Sequence, residues 1–145
     1  IGKYYRAKEL GLELIFDPAC HVETLPSSLS HNEWISIVGN LLDNAYNAAL
    51  RQPAGSKQIE CLINSEGGEA IVEIADQGCG IEESLRDRIF ERGVTSSGSG
   101  DHGIGLWLVR SYVEQAGGNI VVDDNIPFGT IFTLYIPLTR DEHHG

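Results

Sequence analysis

The sequence predicts an α+β domain in which helices pack on one face of a mixed, mostly antiparallel sheet. Two observations predict it. The periodicities run in the order long amphipathic helix, two strand-like runs, glycine-rich loop, second helix, two closing strands, with no internal repeat. The strands fall in adjacent pairs, and the first pair is joined by a run that reads as a hairpin turn. At 145 residues and 41% apolar, the chain is most simply one domain with a real core.

Residues 1–10 are mixed and basic with helical character, and Gly11 would stop that helix. Leu12 to Phe16 alternates like a strand and is halted by Asp17-Pro18. Leu25-Pro26 and Ser27-Ser28 form a connector. Ser30-His31-Asn32-Glu33 matches a capping box, with Ser30 as N-cap and Glu33 reaching back. The helix it starts should run to about Arg51, with Pro53 and Gly55 marking the exit. Gln58 to Asn64 and Glu69 to Asp76 read as strands around a turn at Ser65-Glu66-Gly67-Gly68. Gln77-Gly78-Cys79-Gly80-Ile81 is a glycine turn, and Glu82 to Phe90 suits a short helix. Residues 93–102, rich in Gly and Ser, read as a mobile loop. A second strong helix spans about Gly105 to Ala116, with Leu106, Val109, Val113 and Ala116 inward and Gly117 as its stop. Asn119 to Asp123 and Thr130 to Ile136 close the chain around Ile126-Pro127-Phe128-Gly129.

Charge and cysteine usage bound the function. Lys+Arg total 10 against 21 Asp+Glu, a net charge of −11, which argues against nucleic acid or an anionic membrane surface as the main partner. A nucleotide remains open, since it needs only a local set of donors and a metal. Cys20, Cys61 and Cys79 are odd in number and far apart, without zinc spacing, and fit a reducing cytoplasm. No run is apolar enough to span a bilayer. The opening at Ile1, without Met, suggests a piece of something longer.

Three features carry chemistry. In the first helix Trp34, Val38, Leu41, Ala45 and Ala48 share one face, while Asn40, Asn44 and Asn47 share another. A merely solvated stripe would favour Glu, Lys or Gln, because Asn is a poorer helix former by up to about half a kcal/mol per residue. Three aligned amides, each both donor and acceptor, read as ligand groups. Secondly, Gly103-Ile104-Gly105 runs into a helix N-terminus, which offers free N–H groups and partial positive charge to a phosphate; a simple flexible loop is the alternative. Thirdly, Asp76 at a strand end before a double-glycine turn can accept from an amino group such as that of adenine, or can be an ordinary turn residue. Gly98-Ser99-Gly100-Asp101-His102-Gly103 matches G-x-G-x-x-G, with Asp123 suitably placed, but it follows no buried strand and too little chain remains for a doubly wound sheet. No Walker-type P-loop and no hydrolytic triad are present.

The order of motifs adds a resemblance. Asn-Leu-Leu-Asp-Asn-Ala at 40–45, Asp-Gln-Gly-Cys-Gly-Ile at 76–81, Ile-Phe-Glu-Arg-Gly-Val-Thr-Ser at 89–96 and His-Gly-Ile-Gly-Leu-Trp-Leu-Val at 102–109 closely resemble the N, G1, F and G2 boxes of sensor histidine kinase catalytic domains. These belong to the superfamily that includes gyrase, Hsp90 and MutL. Gly2-Lys3, Arg6-Ala7 and Gly11-Leu12-Glu13, with the closing Gly129-Thr130-Ile131-Phe132 and Ile136-Pro137, resemble the citrate and C4-dicarboxylate-sensing branch.

The resemblance implies a two-layer α/β sandwich of the Bergerat type over a five-stranded sheet, binding ATP with Mg²⁺. It makes Asn44 the metal ligand and Asn40 a support for the phosphates one turn earlier, the pair together forming the catalytic set. Asn47 completes their stripe. Asp76 would take the adenine amine, Gly78 and Gly80 would let the base approach, Ile81 would join the cofactor-binding set, and Thr130 would hold a water beside Asp76. Residues 93–102 would be the ATP lid, anchored by Phe90. Gly103 and Gly105 would face the phosphates at the helix N-terminus, with Ile104 and Leu106 beside them in the cofactor-binding set. Residues 1–10 would be the remnant of a linker from a missing domain that bears the phosphoacceptor histidine and dimerises, leaving this part monomeric. The whole would be a bacterial inner-membrane sensor, with this domain cytoplasmic and a response regulator downstream.

ATP-hydrolysing relatives carry Glu where Asn40 stands, and an amide cannot serve as the base for water. The site therefore looks built to present ATP to another nucleophile. Many relatives have Lys or Arg at the place of Asn47 and Lys at that of Ser97; Arg92 or His102 would have to compensate. The competing readings are an ATPase of the same superfamily and a nucleotide-binding regulatory module, anti-sigma-like or degenerate, without phosphotransfer.

Overall fold

The computed structural model describes residues 2–18, 26–91 and 104–138. They form α1 (Gly2–Glu9), β1 (Glu13–Phe16), α2 (His31–Leu50), β2 (Gln58–Glu66), β3 (Glu69–Asp76), α3 (Glu83–Arg86), α4 (Gly105–Gln115), β4 (Asn119–Asp124) and β5 (Thr130–Pro137). The strands lie in the order β1-β2-β3-β5-β4; β1 runs parallel to β2 and every other pair is antiparallel. The one parallel pair follows from connectivity, because β1 reaches β2 only after α2, and parallel neighbours need such a long crossover.

Strand alternation places one row of apolar side chains under the helices. Cys61 stands opposite Ile74, Ile74 opposite Phe132, and Phe132 opposite Val122. These pack with Leu14, Ile59, Val72, Leu134 and Ile136 against α2 and α4 in a single core. The opposite face carries Glu60, Glu73 and Thr133 among half-buried aliphatic residues, which a two-layer architecture leaves without a helix among the described residues.

The capping box forms as expected: Ser30 Oγ accepts from the Glu33 N–H at 3.1 Å, and Glu33 Oε1 accepts from the Ser30 N–H at 2.8 Å. The inward face of α2 differs from the expected stripe. Ile37, Leu41, Leu42, Ala45, Tyr46 and Ala49 are buried, while Trp34 and Val38 lie at the core margin and Ala48 is half-buried. The helix packs on both β3 and α4, so its covered face is broader than a single stripe and rotated by about one position.

Two boundaries are corrected. The first hairpin turns over Gly67-Gly68 alone, at φ 62° and 82°, and Ser65 and Glu66 pair with Ala70 and Glu69. Two successive left-handed residues suit glycine and match the twist of a tight hairpin. The helix expected over 82–90 is helical only over Glu83–Arg86. Beyond it, N–H groups three residues on close separate turns, Arg88 to Leu85 and Glu91 to Arg88, because Ile89 is drawn into the core and Phe90 onto Phe132.

Candidate functional site

β3 ends on Asp76, which is 1% exposed. Its Oδ1 accepts from the Gly78 N–H at 2.8 Å. Its Oδ2 is buried without a hydrogen-bond partner among the described residues. Burial pushes the carboxyl from 3.8 up to about 6, opposed by the N–H groups of Gly78 and Thr130. An acceptor this deep and half satisfied is costly unless a donor arrives.

The backbone around Asp76 is closely packed. A Cβ on Gly78 would lie 2.4 Å from the Ala48 carbonyl carbon, and the Cys79 N–H donates to Ala48 O at 3.1 Å, so this loop rests on the last turn of α2. Gly129 has φ +112°, and a Cβ there would lie 2.1 Å from Asp76 O. Gly80 has φ +74°, Ile81 packs at the core margin, and Thr130 is buried opposite Asp76 in register.

At the other end, α4 begins at Gly105, and Ile104 supplies no side-chain cap; a helix N-terminus with N–H groups of this kind suits an anionic acceptor. Gly105 faces α2: a Cβ there would lie 3.1 Å from Asn40 Oδ1. Asn40 is oriented by its own helix, Nδ2 donating to Ser36 O at 2.8 Å and Ser36 Oγ at 3.2 Å. Its amide hydrogens are thus engaged and its oxygen is turned toward α4. Asn44 and Asn47 are half-buried, and their amides make no side-chain hydrogen bond among the described residues.

Asn40, Asn44 and Ala48 follow at intervals of four, one above the other on one helical face. Asn40 stands against the N-terminus of α4 and Ala48 against the Gly78 loop. The face between them joins a phosphate-suited helix end to a buried carboxylate, with Asn44 midway. Ile104 is exposed and Leu106 half-buried at the α4 end. Phe90 packs edge-to-face on Phe132, ring centres 6.2 Å apart, and under the Arg110 guanidinium at 5.9 Å. Arg92, Ser97, His102, Gly103 and the whole segment expected as a lid, 93–102, lie outside the described residues.

Three participants were not read from the sequence. Ser36 orients Asn40, and a serine four residues earlier on the helix was the available signal. Ala48 is the small surface beneath Gly78. Asn125 donates from Nδ2 to Asp76 O at 2.8 Å; its only signal was an Asn in a turn before Ile126-Pro127.

A family model described as "Histidine kinase-, DNA gyrase B-, and HSP90-like ATPase" matches residues 31–140. The chain belongs to this family. Among relatives, sensor histidine kinase CitA of Klebsiella pneumoniae is 88% identical over 145 residues, all of this chain and 26% of that protein. DpiB of Escherichia coli is 51% identical over 96% of this chain and 26% of its own length. Of solved structures, the mycobacterial sensor histidine kinase MprB aligns at TM-score 0.72 and 25% identity, over 94% of this chain and 91% of that one. Full-length ShkA in complex with AMPPNP aligns at TM-score 0.66 and 28% identity, over 92% of this chain and 27% of that one.

The chain therefore carries a histidine kinase-, DNA gyrase B- and HSP90-like ATPase domain with the α+β fold that the motif order implied, and its relatives include probable C4-dicarboxylate sensor kinases. The chain spans about a quarter of the length of the curated relatives it matches. No helix among the described residues is long and apolar enough to cross a membrane.

Proposed function

We propose that this domain binds Mg-ATP along the face between Asp76 and the N-terminus of α4. It donates the γ-phosphate to a histidine on a separate dimerisation domain, as the catalytic part of a two-component sensor kinase. The observation that carries this reading is the shared face of α2, which has at one end a buried carboxylate half satisfied among the described residues and at the other a helix N-terminus that Ile104 does not cap. Asp76 Oδ2 accepts from the adenine amine, which supplies the partner it lacks among the described residues. Gly78, Gly80 and Ile81 form the surface under the base, and Thr130 stands beside Asp76 to hold a water. The N–H groups at Gly105 and Leu106 take phosphate oxygens, with Ile104 and Gly103 beside them.

The residues fit a magnesium ion. Asn44 offers one neutral oxygen, and Mg²⁺ is usually held by one or two protein oxygens together with phosphates and waters. When bound, the ion neutralises charge on the transferring phosphoryl group. Asn40 presents an acceptor oxygen rather than a donor, because Ser36 holds its amide hydrogens; an acceptor suits the water shell of a cation better than a bare phosphate oxygen. Asn47, Arg92 and His102 are the remaining candidates for the phosphate end, and Phe90 anchors the lid over 93–102. The amides of Asn40 and Asn44 are not bases for water, so transfer rests on positioning and charge neutralisation.

The intact protein is proposed to be an inner-membrane sensor with this domain on the cytoplasmic side, a response regulator downstream, and dimerisation supplied outside this chain. Titration of ATP with Mg²⁺ into wild type, Asp76→Asn and Asn44→Asp tests the site. Binding in wild type, its loss in Asp76→Asn, and a changed Mg²⁺ requirement in Asn44→Asp are expected. Labelled ATP mixed with a histidine-bearing acceptor domain tests transfer. Steady phosphate release without an acceptor would instead indicate an ATPase.

A further inference from the structure

We propose that Asn125 is a positioning residue for adenine, acting through the backbone of Asp76; this rests on Asp76 being the adenine acceptor. The turn between β4 and β5 lies 49 residues away in sequence, yet the Asn125 amide donates to Asp76 O at 2.8 Å. Its own freedom is removed twice. Asn125 Oδ1 accepts from the Ile126 N–H at 2.8 Å, and its backbone N–H donates to Gly129 O at 3.1 Å. Gly129 closes the other side of the same carbonyl, since even a methyl group there would fall 2.1 Å from Asp76 O.

The peptide held this way leads to Gly78, whose N–H fixes Asp76 Oδ1. The direction of Oδ2 is therefore set at both ends of a two-residue span, one end being Asn125. The neighbouring residue adds a second tie, because Asp124 pairs with Arg86 of α3, the short helix that leads toward Phe90. Neither Asn125 nor its turn touches Asn40, Asn44 or the start of α4 in any contact described above. Loss of the Asn125 donor should loosen base recognition and leave the phosphate end intact.

ATP and ITP separate these ends, since ITP keeps the ribose and phosphates and has an oxo group in place of the amine. Both are titrated with Mg²⁺ into the 145-residue chain and into Asn125→Ala and Asn125→Asp. The Asp variant retains an oxygen for the Ile126 N–H but has no donor for Asp76 O. Wild type should prefer ATP by about tenfold or more, and both variants should lose about five- to tenfold in ATP affinity while ITP stays within about twofold. Equal loss of both nucleotides, through misfolding or general loosening, would overturn the role of Asn125, as would no loss at all. If wild type itself does not distinguish ATP from ITP, the assignment of Asp76 fails first, and this inference with it.

Discussion

The two ends of the site are built in opposite ways. Around Asp76 the geometry is made by backbone: glycines pressed onto carbonyls of α2 and β3, a carboxylate held by an N–H, and a turn bracketed by Asn125. Along α2 and at the start of α4 it is made by half-buried side chains with few fixed partners. The first region can recognise one rigid, flat group by shape and a single hydrogen bond. The second can follow phosphates and a cation whose charge and position change during transfer. On the proposed reading, preorganisation is concentrated where the ligand does not react.

The largest test of this contrast is steric. Gly129→Ala places a methyl group on Asp76 O at a φ of +112° and should destabilise the fold by about 3 kcal/mol or more, read by urea unfolding, with ATP binding lost. Gly105→Ala meets only the Asn40 side chain, at 3.1 Å, and should cost under about 1 kcal/mol while weakening nucleotide binding several-fold. Equal destabilisation by the two would erase the distinction between the ends.

Asp76→Asn should move stability and binding in opposite directions. The folded carboxyl titrates at about 6 against 3.8 in the reference state, so the folded chain holds its proton more tightly. Wild-type stability therefore falls as pH rises between those values and stays lower above them. Removing the charge should raise stability at pH 7 by about 1–3 kcal/mol, with the gain vanishing below pH 4. ATP affinity should drop by up to about a hundredfold, since a donor would then face a donor. A variant less stable than wild type at pH 7 would contradict the buried, half-satisfied carboxylate.

A smaller effect is expected from pH alone. As the solution falls through about 6, protonation of Asp76 should reduce the preference for ATP over ITP, phosphate titration cancelling in the ratio. Smallest of all is Arg86→Ala. Its pair with Asp124 is solvent-exposed on the aspartate side, and such pairs contribute about 0–1 kcal/mol, so the melting temperature should hardly move.

Much was legible in the sequence because it is local. Ser30 and Glu33 mark the start of α2 three residues apart, and Gly67-Gly68 and Gly117 supply left-handed backbone where the chain must turn. Both are read from neighbours within one helical turn or one hairpin. The amide stripe at 40, 44 and 47, the glycines after Asp76 and the Gly105 helix start were visible for the same reason, and their order suggested the family before any contact was known.

Tertiary structure alone decided what those residues touch. Nothing local makes β1 parallel to β2, inserts β5 between β3 and β4, or turns α2 so that Ile37 and Tyr46 are buried. Nor does composition leave Asp76 Oδ2 without a partner among the described residues, turn the Asn40 oxygen toward Gly105 through Ser36, or bring Asn125 across 49 residues onto Asp76 O. Local rules act through backbone angles and side chains a few residues apart. The remaining features depend on which distant surfaces close on each other once the core has packed, and a single sequence does not display those pairings.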